Sequence, residues 1–527
     1  MHSVPAGPSD DRLLIIGWDG ADWEILDDLI ERGVLPNVAR MVTEGARGDL
    51  ASTLPSHSWA AWSSFLTGRN PGEHGIFDFV ERHPSQPGKR IPASSASLKC
   101  GTFLETLSAA GKEVRAGNIP LTFPPYPVNG RMISGAAIPP GAEFVYPGDW
   151  KQELRERAPF PINGMEWVRF EEDPFALVDE ARRFVEQRTA SFELLLEGRW
   201  DVGICVYLAP DRLQHPFGAY LLPTHPRFAE LAESKLAQAV RGVYALLDQH
   251  IAHLAAIAGR NTTIVLMSDH GFRPITRICD IDKVLLELGL MTRARSADAT
   301  GALSRSSVVR ALLRTRVGRA ARSRIRKPSA TQWSVSTAYQ SAMGGGVSVN
   351  LKGREPFGTV EPTDHERVRG EIRGALLSFE DPETGARPIA EVIPREDLYS
   401  GPYVNLAPDL LATAVDLCSL GPAPAATVDT TWPSGSHRRN GVILAAGGRT
   451  VAGKLGQRAI IDLPATVLDF AGISDLSIEG RSIEEIAGTP VSKPVMADAD
   501  PRKPGSDLSD AEQESIAQHL RDLGYIE

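Results

Sequence analysis

Two short aliphatic runs, each ending in an acidic side chain, constrain this chain more than any other feature. Thr263-Ile264-Val265-Leu266-Met267 leads into Ser268-Asp269-His270-Gly271, and Leu13-Leu14-Ile15-Ile16 leads into Gly17-Trp18-Asp19-Gly20. Neither run alternates polar with apolar residues, so each reads as a strand buried on both faces, as in a parallel sheet covered by helices. The carboxyl ends of such strands form the ligand crevice of an open α/β sheet. A carboxylate beside an imidazole there offers a hard oxygen and a nitrogen, a donor pair suited to a divalent metal. The competing reading of Asp269-His270 is a helix N-cap with a turn histidine.

The segments between the runs carry helical spacing. Trp23, Ile25, Leu26, Leu29 and Ile30 follow the first run, Phe175 to Leu196 is apolar at helical intervals, and Phe228 to Ala258 leads directly to the second run. A third apolar run, Val202 to Leu208, enters Ala209-Pro210-Asp211-Arg212-Leu213-Gln214-His215. The four-residue spacing puts Asp211 and His215 on one face of a helical turn, while a loop also lets them converge. After the break at Pro55, Ser58 heads a compact apolar helix closed by Gly68. It is either an N-cap or a nucleophile whose alkoxide is favoured by the helix dipole and a metal.

His437 lies in a polar loop, Trp432 to Gly441, before a strand at Val442 to Ala446, and alone reads as a surface turn histidine. Frequent proline and glycine from Pro120 to Pro147 predict a loop-rich region covering one end of the sheet. Gly344 to Leu351 lacks GxxxxGK[ST] and predicts a strand entered through glycines. Ser509 and Glu512 have the spacing of a capping box on a short C-terminal helix. Ser304 to Lys327 carries eight arginines and reads as a solvated insertion, the alternative being a helix for a membrane surface or an anionic partner.

The formal net charge of -10 argues against a nucleic-acid partner, and an anionic substrate needs a local source of positive charge. No basic-then-apolar leader and no run near the ~20 apolar residues of a membrane span is evident, so a cytoplasmic protein is expected. Cys100, Cys205, Cys279 and Cys418 are far apart and form no CxxC pair, so neither a thiolate zinc site nor a disulfide framework is indicated. Any metal here is held by Asp and His.

Taken together, Asp19, Ser58, Asp211 with His215, Asp269 with His270, and His437 form an ordered set. It resembles the alkaline phosphatase superfamily, specifically its type I phosphodiesterase/nucleotide pyrophosphatase branch, as do the stretches GWDGAD, SWAAWSSFLTGRNPGEHGIFDF, APDRLQH, MSDHGF and GSHRRNG. The resemblance runs from about Leu13 to Gly480. It implies an α/β fold, an alkaline-phosphatase-like wound sheet, mostly parallel, with helices on both faces and loop-rich insertions forming a cap. It implies a catalytic domain over 12–490 with insertions at about 81–200 and 285–400, then a linker and C-terminal helix over 497–527.

The resemblance further implies two divalent metal ions, zinc by donor type. Asp211, His215 and His437 would hold one; Asp19, Asp269, His270 and the Ser58 oxygen would hold the second. The implied activity is hydrolysis of a small-molecule phosphate ester, as a phosphodiesterase or pyrophosphatase acting through a phosphoserine intermediate at Ser58. A phosphomonoesterase or phosphotransferase would use the same site, and a phosphonate hydrolase or a non-catalytic metal-binding scaffold are the further alternatives. A sulfatase is disfavoured because the residues after Ser58 lack the C/S-x-P-x-R pattern. Two departures from the family pattern stand out. The nucleophile is Ser58 rather than threonine, and no Asn follows His74-Gly75-Ile76 to contact phosphate. Arg69, Arg438 and Arg439 are the candidate replacements by position, or else ordinary arginines of a solvated loop.

Overall fold

A computed structural model of the chain describes residues 11–82, 90–293, 331–342, 344–382, 384–421, 427–429, 432–488, 495–496 and 508–523. Its centre is a nine-stranded sheet. In chain order the strands are β1 (Arg12–Trp18), β2 (Ala46–Ala51), β3 (Val114–Pro120), β4 (Gly130–Gly135), β5 (Val145–Tyr146), β6 (Val202–Tyr207), β7 (Thr262–Met267), β8 (Asn440–Ala446) and β9 (Gly453–Ala459). Across the sheet they run β9-β2-β8-β7-β1-β6-β3-β4-β5. β1 is flanked on both sides by parallel neighbours, β6 and β7; the antiparallel pairings involve β8 and the short edge strand β5.

The aliphatic runs behave as their composition predicts. Along β1, Leu13 and Ile15 enter the apolar core on one face while Leu14 and Ile16 enter the core on the other. Each such side chain contributes roughly 1.5–3 kcal/mol by leaving water, which fixes the register of the strand and so the position of its end. Of the helices that matter below, α1 (Trp23–Glu31), α3 (Pro174–Leu195) and α5 (Lys235–Ala258) cover the face of Leu14 and Ile16, and α2 (Ser58–Thr67) covers that of Leu13 and Ile15. α4 (Ala209–Leu221) follows β6, and α6 (Asp510–Asp522) is closed by the capping box of Ser509 and Glu512.

A smaller antiparallel sheet, made of Ala338–Ala342, Gly346–Val349, Leu410–Ala414 and Ile389–Pro394, has an apolar core of its own around Val347, Val349, Ile372 and Leu410. The glycine-rich Gly344 to Leu351 stretch does enter a strand here. Beneath it, fully buried Asp409 pairs with Arg354 (2.6 Å), Arg395 (3.0 Å) and His365 (3.2 Å), and accepts from the Val349 N–H at 2.8 Å.

Several local readings change. The proline- and glycine-rich region from Pro120 to Pro147 contributes β4 and β5 to the central sheet rather than only loops, because β3 supplies to β4, and β4 to β5, the hydrogen bonds that local propensity does not. The helix expected over Phe228 to Ala258 is two, Phe228–Leu231 and α5, since the Ser234 side chain caps the second one. His437 sits on a short strand, Gly435–Arg438, paired antiparallel with Gly271–Cys279. All four cysteines are buried and unbridged. The arginine-rich 304–327 segment and the 497–507 linker lie outside the described residues.

Candidate active site

Asp19 leaves the end of β1, Asp269 and His270 leave the end of β7, and these two strands are hydrogen-bonded neighbours. The sheet therefore brings three ligand types to one point without any loop having to fold around them. Ser58 is the first residue of α2, and His57, not Ser58, is its N-cap, accepting from the Ala60 N–H at 3.4 Å. Freed from capping, Ser58 Oγ lies 3.3 Å from Asp19 Oδ1 and 3.5 Å from His270 Nε2. His270 Nε2 is 3.4 Å from Asp269 Oδ2 and 3.6 Å from Asp19 Oδ1.

A second cluster adjoins the first. α4 is helical through the Asp211 to His215 stretch, so these two residues share a face, and the Gly435–Arg438 strand adds His437. His437 Nε2 lies 3.1 Å from both Asp211 Oδ1 and His215 Nε2, and His215 Nε2 lies 3.4 Å from Asp211 Oδ1. The rings of His270 and His437 stack at 3.8 Å between centroids, joining the clusters.

Both clusters fit a divalent ion. Ligands about 2.0–2.2 Å from a tetrahedral centre stand about 3.3–3.6 Å apart, close to the spacings just given. The imidazole orientations agree. His437 Nδ1 faces the Ser56 carbonyl at 2.9 Å, His215 Nδ1 the Gly435 carbonyl at 3.3 Å, and His270 Nδ1 the Gly271 carbonyl at 3.2 Å. Donating Nδ1–H to a carbonyl leaves Nε2 as a lone pair, the arrangement that orients metal-ligating histidines. Lone pairs then face carboxylate oxygens and one another, which a shared cation reconciles. Asp269 Oδ2 is buried with no hydrogen-bond partner among the described residues.

Electrostatics agree with the geometry. Burial, followed by the charge of Asp211, pushes Asp19 up to about 8. Burial and then Asp19 raise Asp269 well above the carboxylate range, and burial lowers His270 and His437. Asp211 goes the other way: burial opposes its ionisation, yet His215 and His437 together outweigh it and hold it low.

The seven residues read from sequence are thus brought together. Others were missed. The Trp62 indole donates to Asp19 Oδ2 at 2.9 Å, and the Gly20 N–H donates to Asp269 Oδ1 at 3.2 Å. Trp62 stands four residues after Ser58, one helical turn on the same face, which is a legible signal. The carbonyls of Ser56, Gly271 and Gly435 have no sequence signature, since any residue supplies one.

The type I phosphodiesterase/nucleotide pyrophosphatase family matches residues 13–421 of the chain. The chain belongs to that family. A search of curated proteins finds no significant sequence match. Among solved structures the fold is similar to that of phosphonoacetate hydrolase from Sinorhizobium meliloti 1021 in complex with phosphonoformate, at 17% identity and a TM-score of 0.52, covering 83% of this chain and 90% of that one. The same hydrolase in complex with phosphonoacetate gives 16% identity, a TM-score of 0.52 and the same coverage. Murine ectonucleotide pyrophosphatase/phosphodiesterase 5, an inactive variant in complex with AMP, aligns at 13% identity and a TM-score of 0.48, over 86% of this chain and 93% of that one.

Within this phosphodiesterase family the candidate replacements for the missing Asn are engaged elsewhere. Arg438 pairs with fully buried Asp22, which also caps α1 and accepts from the Phe272 N–H at 2.9 Å. Arg439 donates to the Ser52 carbonyl at 3.2 Å, and Arg69 pairs with Glu73 at 3.9 Å. Arg438 is therefore a brace holding the β1 end against the Gly271–Cys279 strand rather than a solvated loop arginine.

Proposed function

We propose that this protein hydrolyses phosphodiesters or pyrophosphates of small molecules, with Ser58 as nucleophile and two zinc ions as cofactors. One observation carries the reading: two adjoining three-residue clusters with metal-ligand spacing, one of them facing the serine at a helix N-terminus. Asp211, His215 and His437 would hold one ion, and Asp19, Asp269, His270 and Ser58 the other. When bound, the ions supply Lewis-acid charge at the phosphoryl oxygens and favour ionised oxygen nucleophiles.

The chain's own groups do the rest. Asp19, fixed by the Trp62 indole, accepts from the Ser58 hydroxyl and aims its lone pair into the site. Ser58 releases its hydroxyl proton to solvent as its Oγ forms the new bond to phosphorus and the bond to the leaving alkoxide breaks, and that alkoxide takes up a proton from solvent in turn. Water then cleaves the phosphoseryl ester and returns the hydroxyl to Ser58. The positive N-terminal end of α2 favours the added negative charge throughout.

The test is turnover of bis(4-nitrophenyl) phosphate against 4-nitrophenyl phosphate by zinc-loaded protein, with acid quenching and mass spectrometry of the Ser58 peptide. Preferred hydrolysis of the diester and a phosphate adduct on Ser58 are expected. Strong preference for the monoester would overturn the diesterase assignment, and undiminished turnover by Ser58→Ala would overturn the nucleophile.

A further inference from the structure

A second cavity opens beside the Ser58 site. The nearer space is lined by Asp19, Ser58 and Asp211; the farther by Asn163, Arg188 and His519; Ala136, Leu208 and Arg212 line both. Arg212 stands at the junction with its Nε 3.7 Å from Asp211 Oδ2. One wall of the farther space comes from the C-terminal helix, where His519 of α6 faces Glu166 at 3.6 Å.

Arg188 is the unusual group. It projects from the buried face of α3, is 2% exposed, and is clasped between the rings of Phe160 (3.4 Å) and Phe184 (4.2 Å). Its Nε and Nη1 are buried without a hydrogen-bond partner among the described residues. Stacking on two rings favours a cation but satisfies none of the guanidinium donors. Among the described residues Arg188 forms no ion pair; Glu180 accepts from the Met165 N–H at 3.2 Å, and Glu166 faces His519. Burial lowers the affinity of Arg188 for its proton, yet an arginine keeps its charge in proteins, so a desolvated cation points into the cavity. Such a charge is tolerated where an anion meets it, and removing either partner is costly. Asn163, whose amide nitrogen donates to the Ile138 carbonyl at 3.1 Å, leaves its Oδ1 as an acceptor for a hydroxyl of the same ligand.

We infer that Arg188, with Arg212 at the entrance, forms an anion subsite that selects substrates carrying a second acidic group, carboxylate or phosphate, on the molecule whose phosphorus is attacked at Ser58. This rests on the phosphohydrolase reading above for the position of the phosphorus.

The experiment is calorimetric titration of zinc-loaded protein with methylphosphonate, which has one acidic head, and with phosphonoacetate, 3-phosphonopropionate, 4-phosphonobutyrate and propane-1,3-diphosphonate, which have two. At least one two-headed ligand should bind about tenfold or more tightly than methylphosphonate, as a charge-assisted contact to a buried guanidinium predicts. The better of carboxylate and phosphonate heads identifies the acid. In Arg188→Met the affinity ratio should fall to near one, and in Arg188→Lys it should be partly kept; circular dichroism confirms that each variant is folded. An equal ratio in wild type and a folded Arg188→Met, or no two-headed advantage in the wild type, would overturn the subsite. Two-headed advantage without diester turnover would instead count against the hydrolase reading alone, and failure of every ligand to bind would overturn both.

Discussion

Two buried acidic clusters in this molecule have opposite electrostatics. Beneath the small sheet, burial disfavours ionised Asp409, but Arg354, His365 and the Val349 N–H outweigh it and hold the carboxyl below the carboxylate range. At the end of the central sheet, burial comes first and a neighbouring carboxylate second, Asp211 for Asp19 and Asp19 for Asp269, and both are pushed up. The first cluster contains its own cations; the second has imidazoles presenting lone pairs. Buried acids with resident arginines are structural, whereas buried acids pushed up by a neighbouring carboxylate mark a place where a cation from outside completes the protein.

The sharpest way to break that contrast is to neutralise one acid in each cluster. Asp269→Asn should lower diester turnover by about a thousandfold or more and reduce bound zinc measured by atomic absorption, while the metal-free protein keeps its melting temperature. Asp409→Asn should do the reverse, costing about 3 kcal/mol in denaturant unfolding by removing the buried charge that Arg354, Arg395 and His365 share, with kcat/KM unchanged. If Asp409→Asn inactivates without destabilising, the division fails.

The pH dependences should also have opposite signs. Asp409 is depressed, so its stabilisation is present above the ordinary carboxylate pKa near ~3.9 and is lost as pH falls through the lower folded value. Asp19 is raised to about 8, so in metal-free protein its contribution is present below the ordinary value and is lost as pH rises toward 8. A bound cation displaces that proton, and the rise in melting temperature on adding zinc should therefore grow between about pH 6 and about pH 8. A zinc-induced rise that is flat with pH in wild type, or unchanged in Asp19→Asn, would contradict the assignment. The smallest effect is expected from Trp62→Phe, which removes the indole donor to Asp19 but keeps the ring; kcat should fall roughly tenfold with zinc still bound.

Sequence and structure agree best where chemistry and periodicity coincide. Asp19 and Asp269 follow uninterrupted aliphatic runs, and Asp211 and His215 follow another, so both the strand and its functional end are readable. His437 is different, because Gly435-Ser436-His437-Arg438 has neither alternation nor apolar content and becomes a strand only through pairing with Gly271–Cys279. β4 and β5 were obscured in the same way by the surrounding prolines and glycines. Arg188 was legible in principle: it falls between Val185 and Phe192 on the apolar face of α3, where a cation is out of place. What it meets there depends on residues some 25 positions away in sequence, such as Asn163, and no local pattern encodes that.

The helix that carries Ser58 has no solvent-facing side; all ten of its residues are buried. For anyone adapting this scaffold to new reactions, that helix is the wrong place to diversify. Added bulk there has no room to escape and should cost about 1–3 kcal/mol per overpacked site, so libraries drawn along α2 will be rich in unfolded members. The cavity wall formed by the C-terminal helix offers the better starting point, since its His519 lines the cavity while several neighbours on α6 remain in water.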